Sequence, residues 1–474
     1  MFKHSYSFND ILISPNLSHC YSRKDIHLST QLTNNIKLHI PIISSPMDTV
    51  TEDQMAIQMA LKGGLGIIHR YQSIESQCNM VNNVKRHLGF ILENPYTIYN
   101  NNTINDYIEF TKKYNVYSFI VLNKETQQVI GIITKRDYLI NKCDSKFLIS
   151  EIMTPIEKLI YVHEFNLDNI INLFKTYKIE KIPIIDNNNY LKGLVFFNNI
   201  IKIIESKEMS SIDINGKLLV GAAVGIRGDY LERTNALIDS GIDILCIDVA
   251  NGFNIHVKNA IQEIKSKYNI PIMAGNVCNA EGYNFLCNSG ADCIRVGIGN
   301  GSICSTRLNT GIGNCQFSSL LECAAISKKY NIPMISDGGH LGLDGNKFKA
   351  LCAGANVVML GKTLAGTTES PGDIVYKNGK RYKYYRGMAS LHANLSKSEK
   401  IGEKINASNI EGVEGEIEYK GTVNEILDRL VNNIKSGFSY VGCNNIQELH
   451  STNLVYSVVS SNGVLESDTR IKKI

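Results

Sequence analysis

From about residue 212 the chain alternates short, unbroken apolar runs with amphipathic stretches, and few architectures accept that pattern. The apolar runs are "KLLVGAAVG", "DILCIDVA", "PIMAGNV", "CIRVGIG", "PMISDGG" and "NVVMLG". Helix-like stretches such as "DYLERTNALIDSG", "NIHVKNAIQEIKSKYN" and "FSSLLECAAISKKYN" separate them. Strands that stay apolar without alternation are buried on both faces, which implies a parallel sheet with helices outside it. Gly, Asn and Asp cluster just after the strands, in "DVANG", "AGNV", "GIGNG", "SDGGH" and "MLGKT". A (β/α)8 barrel carries its active site on the loops at the C-terminal ends of its strands, so this α/β pattern predicts a TIM barrel. A doubly wound sheet is the competing layout, but it seldom places glycine-rich functional loops after so many strands.

The segment "HIPIISSPMDTVTEDQMAIQMALKGGLGIIHR" supplies two further strand–helix units. The barrel therefore comprises residues 1–88 and 212–474, with an insertion at 89–211. That insertion holds two similar halves, about 92–146 and 151–208, marked by "YSFIVLNKETQQVIGIITKRDYLI" and "EKIPIIDNNNYLKGLVFFNNI". Each half reads strand, turn, strand, helix start, as expected of a paired module. The balance of 49 Lys+Arg against 45 Asp+Glu gives no basis for a nucleic-acid or membrane partner. No apolar run is long enough to span a bilayer, and "MFKHSYSFND" lacks a signal-peptide core. The 12 cysteines include no C-x-x-C pair, so a structural zinc site is not expected and a cytoplasmic setting with reduced thiols is. Most of these thiols are expected to be small core residues. Cys304, in the glycine-rich "GIGNGSICSTR", is the expected exception.

Two resemblances follow from these motifs. The insertion resembles a tandem pair of CBS modules, a Bateman domain, whose pattern is Gly, two apolar residues, Thr or Ser, two residues, Asp. Gly131, Thr134 and Asp137 match it, whereas Phe196 and Asn199 replace the Thr and Asp in the second half. The resemblance implies a regulatory purine nucleotide (ATP, GTP or GMP) at Thr134 and Asp137; a packing or assembly role is the alternative. The rest of the chain resembles the IMP dehydrogenase/GMP reductase superfamily through "SSPMDTVTE", "DVANG", "AGNV", "GIGNGSICSTR", "SDGG", "AGTTESPG", "YRGMAS" and "EGVEG".

That resemblance implies Cys304 as a nucleophile toward an electrophilic purine carbon, with Thr306 and Glu369 as a proton relay. It implies phosphate binding by Ser302, Gly338, Gly339 and Gly361, whose glycine turns can present backbone N–H groups, and substrate contacts at Leu360 and Tyr385. Asp337 is expected to take the ribose hydroxyls. Gly387, Met388 and Ala389 are expected around the base, and Ser390, Glu411 and Gly412 among the substrate contacts. Asp248, Val249, Ala250, Asn251, Ile298 and Gly299 resemble cofactor-contacting positions, and His69 and Arg70 are expected near them, with Arg70 suited to the 2′-phosphate of NADPH. The carbonyls of Gly299, Gly301 and Cys304 would hold a potassium ion, a hard cation suited to oxygen ligands. Asn300 stands where many relatives have proline, which leaves the stiffness of this loop open. The resemblance implies a homotetramer, the family habit, with an octamer as the alternative where paired modules meet.

The family contains two reactions. An IMP dehydrogenase oxidises IMP with NAD and then hydrolyses the cysteine adduct, using an Arg-Tyr pair on a flap to activate water. A GMP reductase adds cysteine to GMP, releases ammonia and reduces the adduct with NADPH, so it needs a proton donor instead. The flap here, "LHANLSKSEKIGEKINASNI" at 391–410, contains neither arginine nor tyrosine. Its lysines, Lys397, Lys400 and Lys404, look like solvated charges. "DVANG", "NTGIG" and "LLECA" look reductase-like, while "EGVEGEIEYKG", the stretch after "AGTTESPG" and the module pair look dehydrogenase-like. The missing pair removes a required step, so a GMP reductase acting on GMP to give IMP is expected. An IMP dehydrogenase and an inert nucleotide sensor are the alternatives.

Overall fold

The computed structural model describes residues 3–87, 91–92, 95–114, 116–141, 147–197, 200–201, 209–390, 393 and 412–466. It divides into two compact units, Met1–His87 with Met209–Ile474, and Leu88–Glu208. Residues 209–211 go with the first unit: the Ser211 N–H donates to Ala60 O at 2.8 Å.

The first unit is a closed barrel of eight parallel strands. In chain order these are β1 (Ile42–Ser44), β2 (Leu65–Ile68), β3 (Val220–Val224), β4 (Ile244–Asp248), β5 (Ile272–Val277), β6 (Cys293–Val296), β7 (Met334–Asp337) and β8 (Val357–Leu360). Each pairs with its neighbours in sequence, and β8 closes onto β1 through Val358↔Ile42 to Leu360↔Ser44. The apolar runs become strands because they are buried on both faces, as the all-buried β1, β2, β3, β6 and β8 show. Outer helices such as Ile255–Lys267 and Gln316–Tyr330 cover the barrel.

Alternation along each strand then positions the chemistry. Ile244 and Cys246 on β4, Cys293 on β6 and Ile335 on β7 lie in one apolar core cluster. Two residues further along the same strands, on the same face, come Asp248, Arg295 and Asp337. An apolar core is thus capped by a charged layer at the C-terminal mouth. Burial pushes the Cys246 thiol up to about 12 and the Cys293 thiol well above its ordinary value, as befits core residues.

After the barrel, Val375–Lys377, Lys380–Arg386 and Glu414–Glu418 form an antiparallel sheet, and the helix Val423–Val441 follows. The second unit contains the internal repeat. In one half Ser118–Leu122 pairs antiparallel with Val129–Thr134, and in the other Lys181–Ile185 pairs with Leu191–Phe196. The registers correspond, since Ser118 faces Thr134 as Lys181 faces Phe196.

Candidate active site

A cavity of about 420 Å³ opens at the barrel mouth, a volume suited to a small ligand. It is lined by Pro46–Met47, Arg70, Asp248–Ala250, Gly297–Cys304, Thr306, Asp337–Gly342, Met359–Thr363, Tyr385 and Gly387–Ala389, with Asn276 and Arg295 beneath.

The loop after β6 carries the thiol. Gly297 adopts φ +147, and a Cβ there would lie 2.1 Å from Asp337 O, so only glycine lets the two loops approach. Asn300 braces the loop: its Nδ2 donates to Asp337 O at 3.0 Å and to Gln316 Oε1, and its carbonyl accepts the Gly339 N–H at 3.1 Å. Side-chain bonds here do the stiffening that a proline ring would do. Cys304 N–H closes a turn onto Gly301 O at 3.1 Å, and the Cys304 Sγ lies 3.2 Å from Thr306 Oγ1. The thiol is half-buried, unlike the core cysteines. Its backbone bridges to Gly412, and the Val413 N–H donates to Ile303 O at 3.0 Å. The chain at Gly412–Val413 therefore pins the Cys304 loop from the other side.

The charged layer centres on Arg295, whose side chain is 6% exposed. Its Nη1 donates to Asp248 Oδ1 at 2.9 Å and its Nη2 to Asp337 Oδ2 at 2.9 Å. Asn276 Nδ2 adds a 2.8 Å bond to the same Asp337 oxygen. Asp337 Oδ2 is thereby saturated, while Oδ1 bonds to no described residue and can accept two hydroxyls. Asn276 Oδ1 is buried without a partner among the described residues, as is Arg70 Nε. At the opposite wall, burial pushes the Tyr385 hydroxyl up to about 12; a hydrogen bond with Ser302 opposes that rise. The group stays a neutral donor at physiological pH. Arg386 grips Asp48 through Nε at 2.9 Å, and the Asp48 N–H donates to Met388 Sδ at 3.3 Å, which joins the two loops that present Met47 and Met388.

Most expected site residues meet at this cavity: Cys304, Thr306, Ser302, Asp337, Gly338, Gly339, Leu360, Gly361, Tyr385, Gly387, Met388, Ala389, Asp248, Val249, Ala250, Ile298, Gly299, Gly301 and Arg70. Gly412 joins through its bridge to Cys304. Four do not. Glu369 is absent from the lining; its Oε2 accepts the Val423 N–H at 2.9 Å at the start of a 19-residue helix, where a carboxylate is favoured. The expected Thr306–Glu369 relay is therefore not formed. His69 is buried, with Nδ1 accepting the Tyr71 N–H and Nε2 3.4 Å from Glu52, and it does not line the cavity. Asn251 is exposed and caps the Phe253 N–H, and Ser390 is buried, its Oγ accepting the Ala393 N–H. Glu411 and the flap, apart from Ala393, lie outside the described residues. In the second unit, Thr134 N–H and Oγ1 donate to Asp137 Oδ2 at 2.8 and 2.7 Å.

Arg295 and Asn276 were not anticipated. A lone arginine inside the apolar run "CIRVG" was the available signal, because a charge there must find partners. No group of three His, Cys, Asp or Glu able to hold a metal ion occurs among the described residues, and none of their helices is long and apolar enough to cross a membrane.

Residues 5–470 match the family model described as IMP dehydrogenase / GMP reductase domain. The inosine-5′-monophosphate dehydrogenase of Nitrosopumilus maritimus is 38% identical over 473 residues, covering 98% of both chains. That of Bacillus subtilis is 41% identical over 451 residues, covering 94% of this chain and 92% of the relative. Among solved structures, a cysteine-to-alanine variant of GMP reductase from Trypanosoma brucei in complex with guanosine 5′-monophosphate matches with a TM-score of 0.88. It is 36% identical, over 100% of this chain and 99% of that one.

Proposed function

The chain belongs to the IMP dehydrogenase/GMP reductase family of oxidoreductases, and within it we propose an NADPH-dependent GMP reductase that converts GMP to IMP and ammonia. One observation carries the choice: between Met388 and Gly412 the sequence has no arginine and no tyrosine, so it lacks the pair that resemblance assigns to water activation. A thioimidate on Cys304 would then persist unless it is reduced. The likeness to a GMP reductase structure supports the same reading.

In this reading the Cys304 thiolate adds to C2 of GMP. The 2-amino group is protonated and leaves as ammonia, with Thr306 Oγ1, 3.2 Å from the sulfur, placed to pass that proton. Bound NADPH supplies the hydride that C2 then takes up. The thiolate leaves to give IMP, so GMP, NADPH and two protons become IMP, NADP⁺ and ammonium. Asp337 Oδ1 would hold the ribose diol, and the turns at Gly338–Gly339 and Gly361 the phosphate. Arg70 lines the same cavity as Asp248–Ala250, and its guanidinium suits a polar or anionic cofactor group. Carbonyls of Gly299, Gly301 and Cys304 would hold potassium; among the described residues Gly301 O accepts only the Cys304 N–H and retains a lone pair for it.

We further propose that residues 89–211 are a CBS pair binding a purine nucleotide at Thr134 and Asp137, and that the protein is a homotetramer that can pair into octamers. The corresponding registers of the two halves support the first part. Calorimetric titration with GTP or ATP, lost in Asp137→Ala, tests it; light scattering with and without nucleotide tests the second.

The dehydrogenase reading has its own support, since the curated relatives reported above are IMP dehydrogenases at 38% and 41% identity. Absorbance at the nicotinamide band separates the two. NADPH oxidation with GMP is expected; NAD reduction with IMP would establish the alternative.

A further inference from the structure

Lys420 is a half-buried cation that pairs with no carboxylate among the described residues. Its Nζ donates instead to two backbone carbonyls, Lys362 O at 2.5 Å and Thr363 O at 3.3 Å. These carbonyls follow Gly361, and Gly361, Lys362 and Thr363 all line the active-site cavity. A trans peptide unit holds its N–H opposite its C=O. The Lys362 carbonyl faces Lys420, so the Thr363 N–H points the other way. Among the described residues neither the Lys362 nor the Thr363 N–H donates to a backbone or side-chain acceptor.

The charges around Lys420 add to this. Those that bear on it are Lys362 on the turn, Lys347 on the helix Asp344–Cys352 and Arg429 on the helix Val423–Val441, all cations. Burial first, then their repulsion, lowers the Lys420 ammonium to about 8. Holding an uncompensated charge in this position costs free energy, and an anion arriving at the far side of the Lys362–Thr363 peptide unit recovers it.

We propose that Lys420 is a positioning residue for the 5′-phosphate of the nucleotide. It acts through the Lys362–Thr363 peptide unit, orienting the free Thr363 N–H toward the phosphate and placing a hidden positive charge behind it. This rests on the reading of the Gly338–Gly339–Gly361 end of the cavity as the phosphate end. Lys420 thereby favours nucleoside monophosphates over nucleosides without touching either.

The test compares Lys420→Met and Lys420→Arg with the unaltered full-length protein, using GMP and guanosine as paired substrates and IMP as a second ligand. Lys420→Met is expected to raise KM for GMP about tenfold, to leave kcat within about twofold, and to leave kcat/KM for guanosine unchanged. Lys420→Arg is expected to recover most of the GMP KM. Equal losses for GMP and guanosine, or an unchanged KM for GMP, would overturn the proposal. If the Met variant does not fold, calorimetry on the unaltered protein at pH 9 in two buffers decides. GMP binding with net proton uptake that guanosine lacks supports Lys420; equal uptake for both overturns it. Failure of the unaltered protein to bind either GMP or IMP would instead refute the phosphate reading on which Lys420 depends.

Discussion

Replacing Arg295 with methionine should destabilise the barrel by about 3–5 kcal/mol, because it strands two carboxylates in the mouth of the barrel. Arg295 makes charge-assisted bonds to Asp248 at 2.9 Å and to Asp337 at 2.9 and 3.3 Å, plus a contact with Cys246 Sγ at 3.4 Å. The carboxylates are 19% and 17% exposed, too covered for water to replace the guanidinium. With an unfolding entropy of ~2.1 cal/mol/K per residue and roughly 350 residues in the barrel unit, ~4 kcal/mol corresponds to ~5 °C. Differential scanning calorimetry measures it, reading the barrel transition separately because two compact units need not melt together. Adding Asp248→Asn to Arg295→Met should recover part of the loss, since it removes one stranded charge. A shift under about 1 °C, or no recovery in the double variant, would refute the view that the layer is an enclosed ion triad.

Other perturbations separate the roles assigned above. Cys304→Ala should lower turnover by roughly 10³-fold or more while leaving the melting temperature within about 2 °C, measured by steady-state assay and calorimetry. Thr306→Val should cut kcat by roughly 10²-fold with little change in KM, whereas Glu369→Gln should leave kcat within about threefold and cost about 1 kcal/mol or less at the helix start. Equal kcat losses in the two would reinstate the relay. His340 is held down to about 3 by burial, so it stays neutral when folded while the unfolded chain protonates near 6.5. Its contribution to stability is present above pH 6.5 and falls by roughly 1.4 kcal/mol per unit as pH drops toward 3. Denaturant titrations of His340→Gln across that range should show a shallower acid loss than the unaltered protein.

The barrel was legible because its strands are apolar on both faces, a pattern that no exposed strand can carry. The cavity was legible because a parallel barrel puts every post-strand loop at one end, so "GIGNGSICSTR" and "SDGG" meet although 28 residues separate them. What the sequence hid was direction. Glu369 lies in a loop after β8, as a relay group should, but the Val423 N–H, 54 positions later, draws its carboxylate away. His69 directly follows β2 at the correct height, yet its ring packs inward against Glu52 and the Tyr71 N–H. Arg295 was concealed by its own strand, since its partners stand 47 and 42 positions away. Local pattern locates a loop; only long-range pairing decides where its side chains point.

The central claim is that the Cys304 adduct loses ammonia and takes up hydride. The direct measurement is product stoichiometry with purified protein, GMP and NADPH, following nicotinamide absorbance, ammonium and nucleotide together. One IMP and one ammonium per NADPH oxidised is the predicted result. Formation of XMP from IMP and NAD, with no turnover of GMP, would contradict it.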